Sequence, residues 1–150
     1  MKKLINIVLF CLIGLSSYAQ EENVIKLNSE VTFVLSKITN GDFICKIKEI
    51  NRFNKSIDIL HNDLLKDKID TNEVKLYFCI GSFGGDKKTL LIIKNGLSVP
   101  LNYKAKIKLD RKDDFESTSV SALFPNVKSI EEWQDNVAEI MLSDFTVMKN

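Results

Sequence analysis

One imidazole, His61, lies between two carboxylates in sequence, Asp58 and Asp63, and either could orient it as a general base. Hydrolysis by that route needs a nucleophile and oxyanion donors converging on the ring. The chain has no Gly-x-Ser-x-Gly elbow, so the expectation is a solvent-facing loop histidine, with a hydrolase as the third functional reading. A multi-histidine metal site is excluded within one chain, because His61 is the only histidine. The stretch from Gly81 to Thr89 superficially matches a phosphate loop, but the spacing fails. Such a loop needs Gly, Lys and Ser or Thr in succession, whereas Asp86 separates Gly85 from Lys87 and Lys88 separates Lys87 from Thr89. A hairpin tip is expected there. Asp110, Asp113, Asp114 and Glu116 are dense enough to suggest calcium, but Arg111 and Lys112 interrupt them, so a solvated loop is expected.

Two further constellations have bland readings. Glu131 and Glu132 beside Trp133 could form a carboxylate pair over a sugar-stacking ring. On a helix, adjacent residues diverge by about 100°, and the tryptophan is expected to cover the core. Lys104, Lys106 and Lys108 form a positive row that could meet an anionic surface partner. Such rows more commonly keep a sheet face soluble and its edges unpaired, and no aromatics interleave it to make a nucleic-acid platform. The formal net charge of +1 gives no case for nucleic acid either. The expectation is no catalytic residue, no metal and no cofactor.

The first residues, MKKLINIVLFCLIGLSSYAQ, have the form of a secretory leader. Lys2 and Lys3 precede an apolar run from Leu4 to Leu15, and Ser17 and Ala19 place small residues at −3 and −1 of a cut between Ala19 and Gln20. The run is too short for the ~20 residues of a spanning helix. Cys11 follows the bulky Phe10, unlike a lipoprotein cysteine, and reads as filler of the apolar run. Cleavage leaves residues 20–150, with 19 basic against 20 acidic side chains and no second apolar run of membrane length. The leader and the Lys-, Asn- and Ile-rich composition point to a bacterial protein, periplasmic or secreted. Two cysteines then remain, Cys45 and Cys79. Export favours oxidised thiols, so a Cys45–Cys79 disulfide is one outcome; two free thiols buried as small apolar residues is the other.

The elements that position these residues read as strands. In Leu101 to Leu109 every odd position is apolar and every even one Asn or Lys, the period of a strand with one face in water. Phe43, Cys45 and Ile47 alternate more loosely, and Val31 to Leu35 is rich in β-formers. Val74 to Phe83 and Thr89 to Ile93 read as central strands covered on both faces, joined by a hairpin at Gly84 to Lys87. Asn40-Gly41-Asp42 suits a turn, and Asn95 to Pro100 suits either a tight hairpin or a loop carrying the chain to another sheet. Ile57 to Leu60 could be a short strand, with a turn or two of helix from His61 to Ile69. Ser129 and Glu132 fit a capping box, which predicts a short helix over 129–135 and a final strand to Phe145; one continuous helix is the alternative.

The composition is ordinary for a globular chain, with 45% hydrophobic and 27% charged residues, which excludes disordered and collagen-like classes. The pattern predicts one domain over 20–150. Its class is mainly β, an antiparallel β-sandwich, immunoglobulin-like in general architecture, of about seven or eight strands with one short C-terminal helix. A small β-barrel is the alternative. The leading functional expectation is an exported, non-catalytic domain that binds a protein or cell-surface partner through the loops near 61–73, 84–88 and 110–118. The second is a barrel carrying a lipid or other apolar ligand.

Overall fold

β-Branched and aromatic side chains stand off a pleated backbone and pack on their neighbours, and the chain uses them in runs of alternating faces. The computed structural model describes residues 23–60, 63–82 and 84–149. Among them ten strands form: β1 (Asn23–Lys26), β2 (Ser29–Lys37), β3 (Phe43–Arg52), β4 (Ile57–Asp58) and β5 (Glu73–Ser82) in the first half. The second half contains β6 (Lys88–Asn95), β7 (Leu101–Leu109), β8 (Glu116–Thr118), β9 (Lys128–Trp133) and β10 (Val137–Val147). A four-stranded antiparallel sheet runs β1-β10-β7-β8, and a six-stranded one runs β3-β2-β5-β6-β9, with β4 added to β5. The two sheets face each other as a sandwich. Each keeps free edges, so the barrel alternative is overturned, and with it the premise of an apolar ligand carried in a closed lumen.

The core between the sheets gathers Val31, Phe33 and Leu35 of β2, Val74, Leu76 and Phe78 of β5, and Leu91 and Ile93 of β6 against Leu101, Ile107, Ile140 and Phe145. Tyr103 stacks on Phe145 with ring centroids 5.6 Å apart, yet its buried hydroxyl has no hydrogen-bond partner among the described residues. A second, smaller core lies on the far side of the six-stranded sheet. There Cys79, Leu90 and Ile92 pack under Ile57 and Ile59, with Tyr77, Ile130, Phe53, Leu64 and Leu65 around them. Residues 53–60 and 63–72 thus strap the outer face of the sheet, and the apolar stretches 76–80 of β5 and 90–93 of β6 are covered on both faces, as expected of central strands.

Register explains the turns. The β2–β3 hairpin closes through a 3-10 turn at Thr39–Gly41, with Asn40 and Gly41 at φ 73° and 86°. The β5–β6 hairpin closes at the glycine-rich tip, with Gly84 at φ 69°. After β6 the chain crosses to the other sheet rather than turning back. Asn95 fixes that crossing: its fully buried Nδ2 donates to the carbonyls of Val99 (2.9 Å) and Leu123 (3.1 Å), and its Oδ1 accepts from the Leu97 N–H (2.9 Å). Arg52 clamps the β1–β2 corner by donating to Leu27 O (3.0 Å) and Ser29 Oγ (2.8 Å).

Two expected helices are absent among the described residues. Residues 128–133 form strand β9, all six pairing with β6 from Thr89 to Lys94, and residues 134–135 bend toward β10. A helix buries one stripe, but both faces of the sheet are covered here. Ile130 packs into the outer cluster and Trp133 onto the inner one, a demand that only period 2 meets. Glu132 pairs with Lys88 at 2.8 Å instead of capping. Residues 63–69 form turns, with Leu65 in the left-handed region at φ 57° and the Leu65 and Asp67 carbonyls given to a lysine. The left-handed Leu65 interrupts any helical run, and Lys94 holds the turn in place through those two carbonyls. The strand count exceeds the expected seven or eight because β1, β4 and β8 are only four, two and three residues long.

A polar cleft on the outer sheet face

The apolar strap covers only part of the outer face. Toward the β3 edge the outward residues turn polar, and between them and residues 63–70 opens a cleft of about 340 Å³. Its floor comes from three adjacent strands in register. Thr32 of β2 is paired with Glu49 of β3 on one side and Lys75 of β5 on the other. A register shift beside Thr32 makes Lys48 an extra residue in β3, and such bulges re-aim side chains. Lys48 Nζ accordingly reaches Glu73 Oε1 at 2.5 Å, while Lys75 Nζ reaches Glu30 Oε1 at 2.5 Å. Two ion pairs therefore flank Thr32. The wall supplies Asp63, Leu64, Leu65, Asp67, Lys68, Ile69 and Asp70.

The wall is fixed from behind. Lys94 continues the outward face of β6 beyond Ile92, and its buried ammonium donates to the main-chain oxygens of Leu65 and Asp67, each at 3.0 Å. An ammonium so enclosed needs such acceptors. Gly96 presses against the same segment: a Cβ there would lie 2.2 Å from the Asp70 oxygen and 2.9 Å from that of Glu73, and its N–H donates to Glu73 O at 2.9 Å. Gly81 admits β4 in the same way, since a Cβ on it would lie 2.6 Å from Ile57 O.

The electrostatics suit recognition. The Glu73 carboxylate, first by its hydrogen bond and then by its charge, holds the Lys48 ammonium above the usual lysine range. Burial, then the Glu30 carboxylate, pushes the Tyr77 phenol well above its ordinary value. Both groups stay protonated at neutral pH, where Lys48 is a fixed cation and Tyr77 a neutral donor. The cleft can offer hydrogen bonds and fixed charges to a bound molecule.

The residues singled out by sequence fall in several places. Asp63 lines the cleft and pairs with Lys66, while Asp58 sits on β4. His61 lies outside the described residues, as do Cys11 and the Ala19–Gln20 junction. Cys45 and Cys79 are free and buried on opposite faces of the six-stranded sheet, Cys45 in the inner core and Cys79 in the outer one, and burial pushes each thiol up to about 12. The disulfide alternative thus gives way to two separated core thiols. Glu131 and Glu132 point to opposite faces of β9: Glu131 accepts from the Ser121 N–H at 2.7 Å, and Trp133 Nε1 donates to Thr118 Oγ1 at 3.1 Å. The lysine row does lie outward on β7. Lys104 is bound by Asp144 and Lys108 by Glu139, so neighbouring carboxylates offset much of its charge. The acidic stretch after β7 is a loop whose Lys112 pairs with Glu116, the first residue of β8, and no three His, Cys, Asp or Glu among the described residues are grouped to hold a metal ion.

Sequence reasoning pointed to the loop near 61–73 but missed the floor residues Glu30, Thr32, Lys48, Glu73 and Lys75. The only signal was the polar character of alternate residues in β2 and at the start of β5. No protein-family model, curated protein or solved structure matches the chain. No helix among the described residues is long and apolar enough to cross a membrane.

Proposed function

We propose that the chain is an exported bacterial protein, periplasmic or secreted, whose sandwich serves as a non-catalytic binding module for a protein or surface component of the cell envelope. The leader over residues 1–19, with cleavage after Ala19, supports export. The observation that carries the binding reading is the cleft. Its wall is immobilised by Lys94 and Gly96, and its floor cations are already engaged by Glu73 and Glu30. Preorganised walls reduce the ordering cost of association. Engaged lysines favour recognition over proton transfer.

The test is photo-crosslinking in the native host, with the full-length gene carrying a benzophenone amino acid in place of Lys68, an exposed cleft residue. The expected result is a discrete adduct and a mature N-terminus at Gln20 by peptide mass. A protein that keeps Met1 overturns export. A cleft probe that gives no adduct, while the same probe in place of Lys112 does, overturns the cleft as contact site.

A further inference from the structure

We propose that the cleft receives an organic cation: the guanidinium or ammonium group of a basic side chain, seated on Thr32 between the Asp67 and Asp70 carboxylates. This rests on the reading of the cleft as the contact site and names the chemistry of its occupant.

The first observation is Thr32. Its residue is 6% exposed, at the centre of the floor. Its hydroxyl makes no hydrogen bond among the described residues, yet it is not among the sealed, unsatisfied atoms of the interior. Buried hydroxyls are ordinarily paired. This one has no partner among the described residues, and the residue that carries it lines the cleft.

The second observation is the charge balance. The lining contains Glu49, Asp63, Asp67, Asp70 and Glu73 against Lys48, Lys68 and Lys75. Lys48 is consumed by Glu73, Lys75 by Glu30 and Asp63 by Lys66. What remains is Glu49, which accepts from Asn51 Nδ2 at 3.0 Å, together with Asp67 and Asp70, against the exposed Lys68 and the Lys94 ammonium behind the wall, a surplus of one negative charge. An anion is repelled by that surplus, and a cation is drawn by it. The absence of any metal-grouping among the described carboxylates favours a cation that brings its own N–H donors over a bare metal ion. Guanidinium and ammonium groups donate in several directions and match carboxylates well.

The third observation is size. A volume of about 340 Å³ sits at the small end of the ~300–1,000 Å³ of ligand pockets. That is room for one long side chain and the backbone beside it, and a polymer groove needs more.

The test is a chemical-shift titration of the isotope-labelled mature chain, residues 20–150. The probes are the blocked tripeptides Gly-Arg-Gly and Gly-Lys-Gly, the neutral isostere Gly-citrulline-Gly, the acidic Gly-Glu-Gly, and free spermidine. The expected result is that the arginine or lysine peptide shifts the amides of Thr32, Lys48, Asp67, Asp70 and Glu73. The citrulline peptide binds at least about tenfold more weakly, as loss of a charge-assisted contact implies. Asp67→Asn with Asp70→Asn weakens the arginine peptide by about tenfold, and Thr32→Val by severalfold, each with an otherwise unchanged spectrum that shows the fold intact. Spermidine tighter than either basic peptide assigns the site to a free polyamine; the reverse order assigns it to a protein side chain. Equal affinity for the citrulline peptide, preference for the glutamate peptide, or shifts that map away from the cleft overturn the proposal. If no cationic probe moves the cleft but the envelope adduct at position 68 persists, the cation assignment falls and the contact-site reading stands.

Discussion

The six-stranded sheet is covered twice, by materials of different kinds. Its inner face meets four antiparallel strands, and Val31, Phe33, Val74, Leu76, Phe78, Leu91 and Ile93 are fully buried there. Its outer face meets the strap of residues 53–60 and 63–72, whose only regular element among the described residues is the two-residue β4. The strap is held at a few points: Phe53 N–H on Asn28 O, the pairing of Ile57 and Asp58 with Gly81 and Ser82, and Lys94 on two carbonyls. The inner cover is continuous and hydrogen-bonded along its length. The outer one is pinned and incomplete, and the cleft opens where it stops. Global stability should therefore be set by the inner contact, and local opening by the outer one.

The largest expected effect separates the two covers directly. Phe78→Ala empties the inner core and should cost about 3–5 kcal/mol by denaturant midpoint, as phenylalanine truncations do. Ile59→Ala, under the strap, should cost about 2 kcal/mol or less because the strap can settle into the gap. Equal costs would dissolve the distinction. The thiols, one beneath each cover, offer the next test. Each is pushed up to about 12 in the fold from an ordinary value of 9.0. The folded state thus prefers the protonated thiol, so this contribution is complete below pH 9 and declines as pH rises toward 12. Lys48, Tyr77 and Tyr103, also raised, act in the same sense. Stability curves should therefore fall across that alkaline range. Cys45→Ala with Cys79→Ala should make the slope shallower without abolishing it.

Smaller effects sharpen the outer side. Gly96→Ala places a methyl against two main-chain oxygens, and overpacking of this kind costs about 1–3 kcal/mol. Lys94→Met strands the Leu65 and Asp67 carbonyls and should cost about 1–2 kcal/mol. Its diagnostic sign is faster amide exchange at 64–69 with β2 and β5 still protected. The smallest change is on the inner side. Tyr103→Phe removes a buried hydroxyl with no partner among the described residues, and the melting temperature should rise, by up to about 1 kcal/mol of stability.

Strands whose two faces differ were legible in the sequence, and so were those with no polar face. Leu101 to Leu109 alternates because one side meets the core and the other meets water, and β7 has those bounds. The apolar stretches 76–80 of β5 and 90–93 of β6 announced double cover. The helix expected over 129–135 rested on the Ser129 and Glu132 capping pattern, a local signal that is overridden because Ile130 and Trp133 serve two different cores. The cleft was hidden for a different reason. Lys48 and Glu73 are 25 residues apart, and only the bulge in β3 brings them together. Nothing in the composition of residues 43–52 marks where a ladder slips by one residue. The strap resisted for the converse reason: its conformation is dictated by a lysine on β6, far along the chain.

Lys94 grips the wall of the cleft by peptide oxygens, which every residue type possesses. Substitutions at Asp63, Asp67, Lys68 or Asp70 therefore leave the grip untouched. Evolution, or an engineer, can redraw what this recess accepts while the layered body beneath goes on folding as before, so affinity can be retuned without renegotiating the architecture.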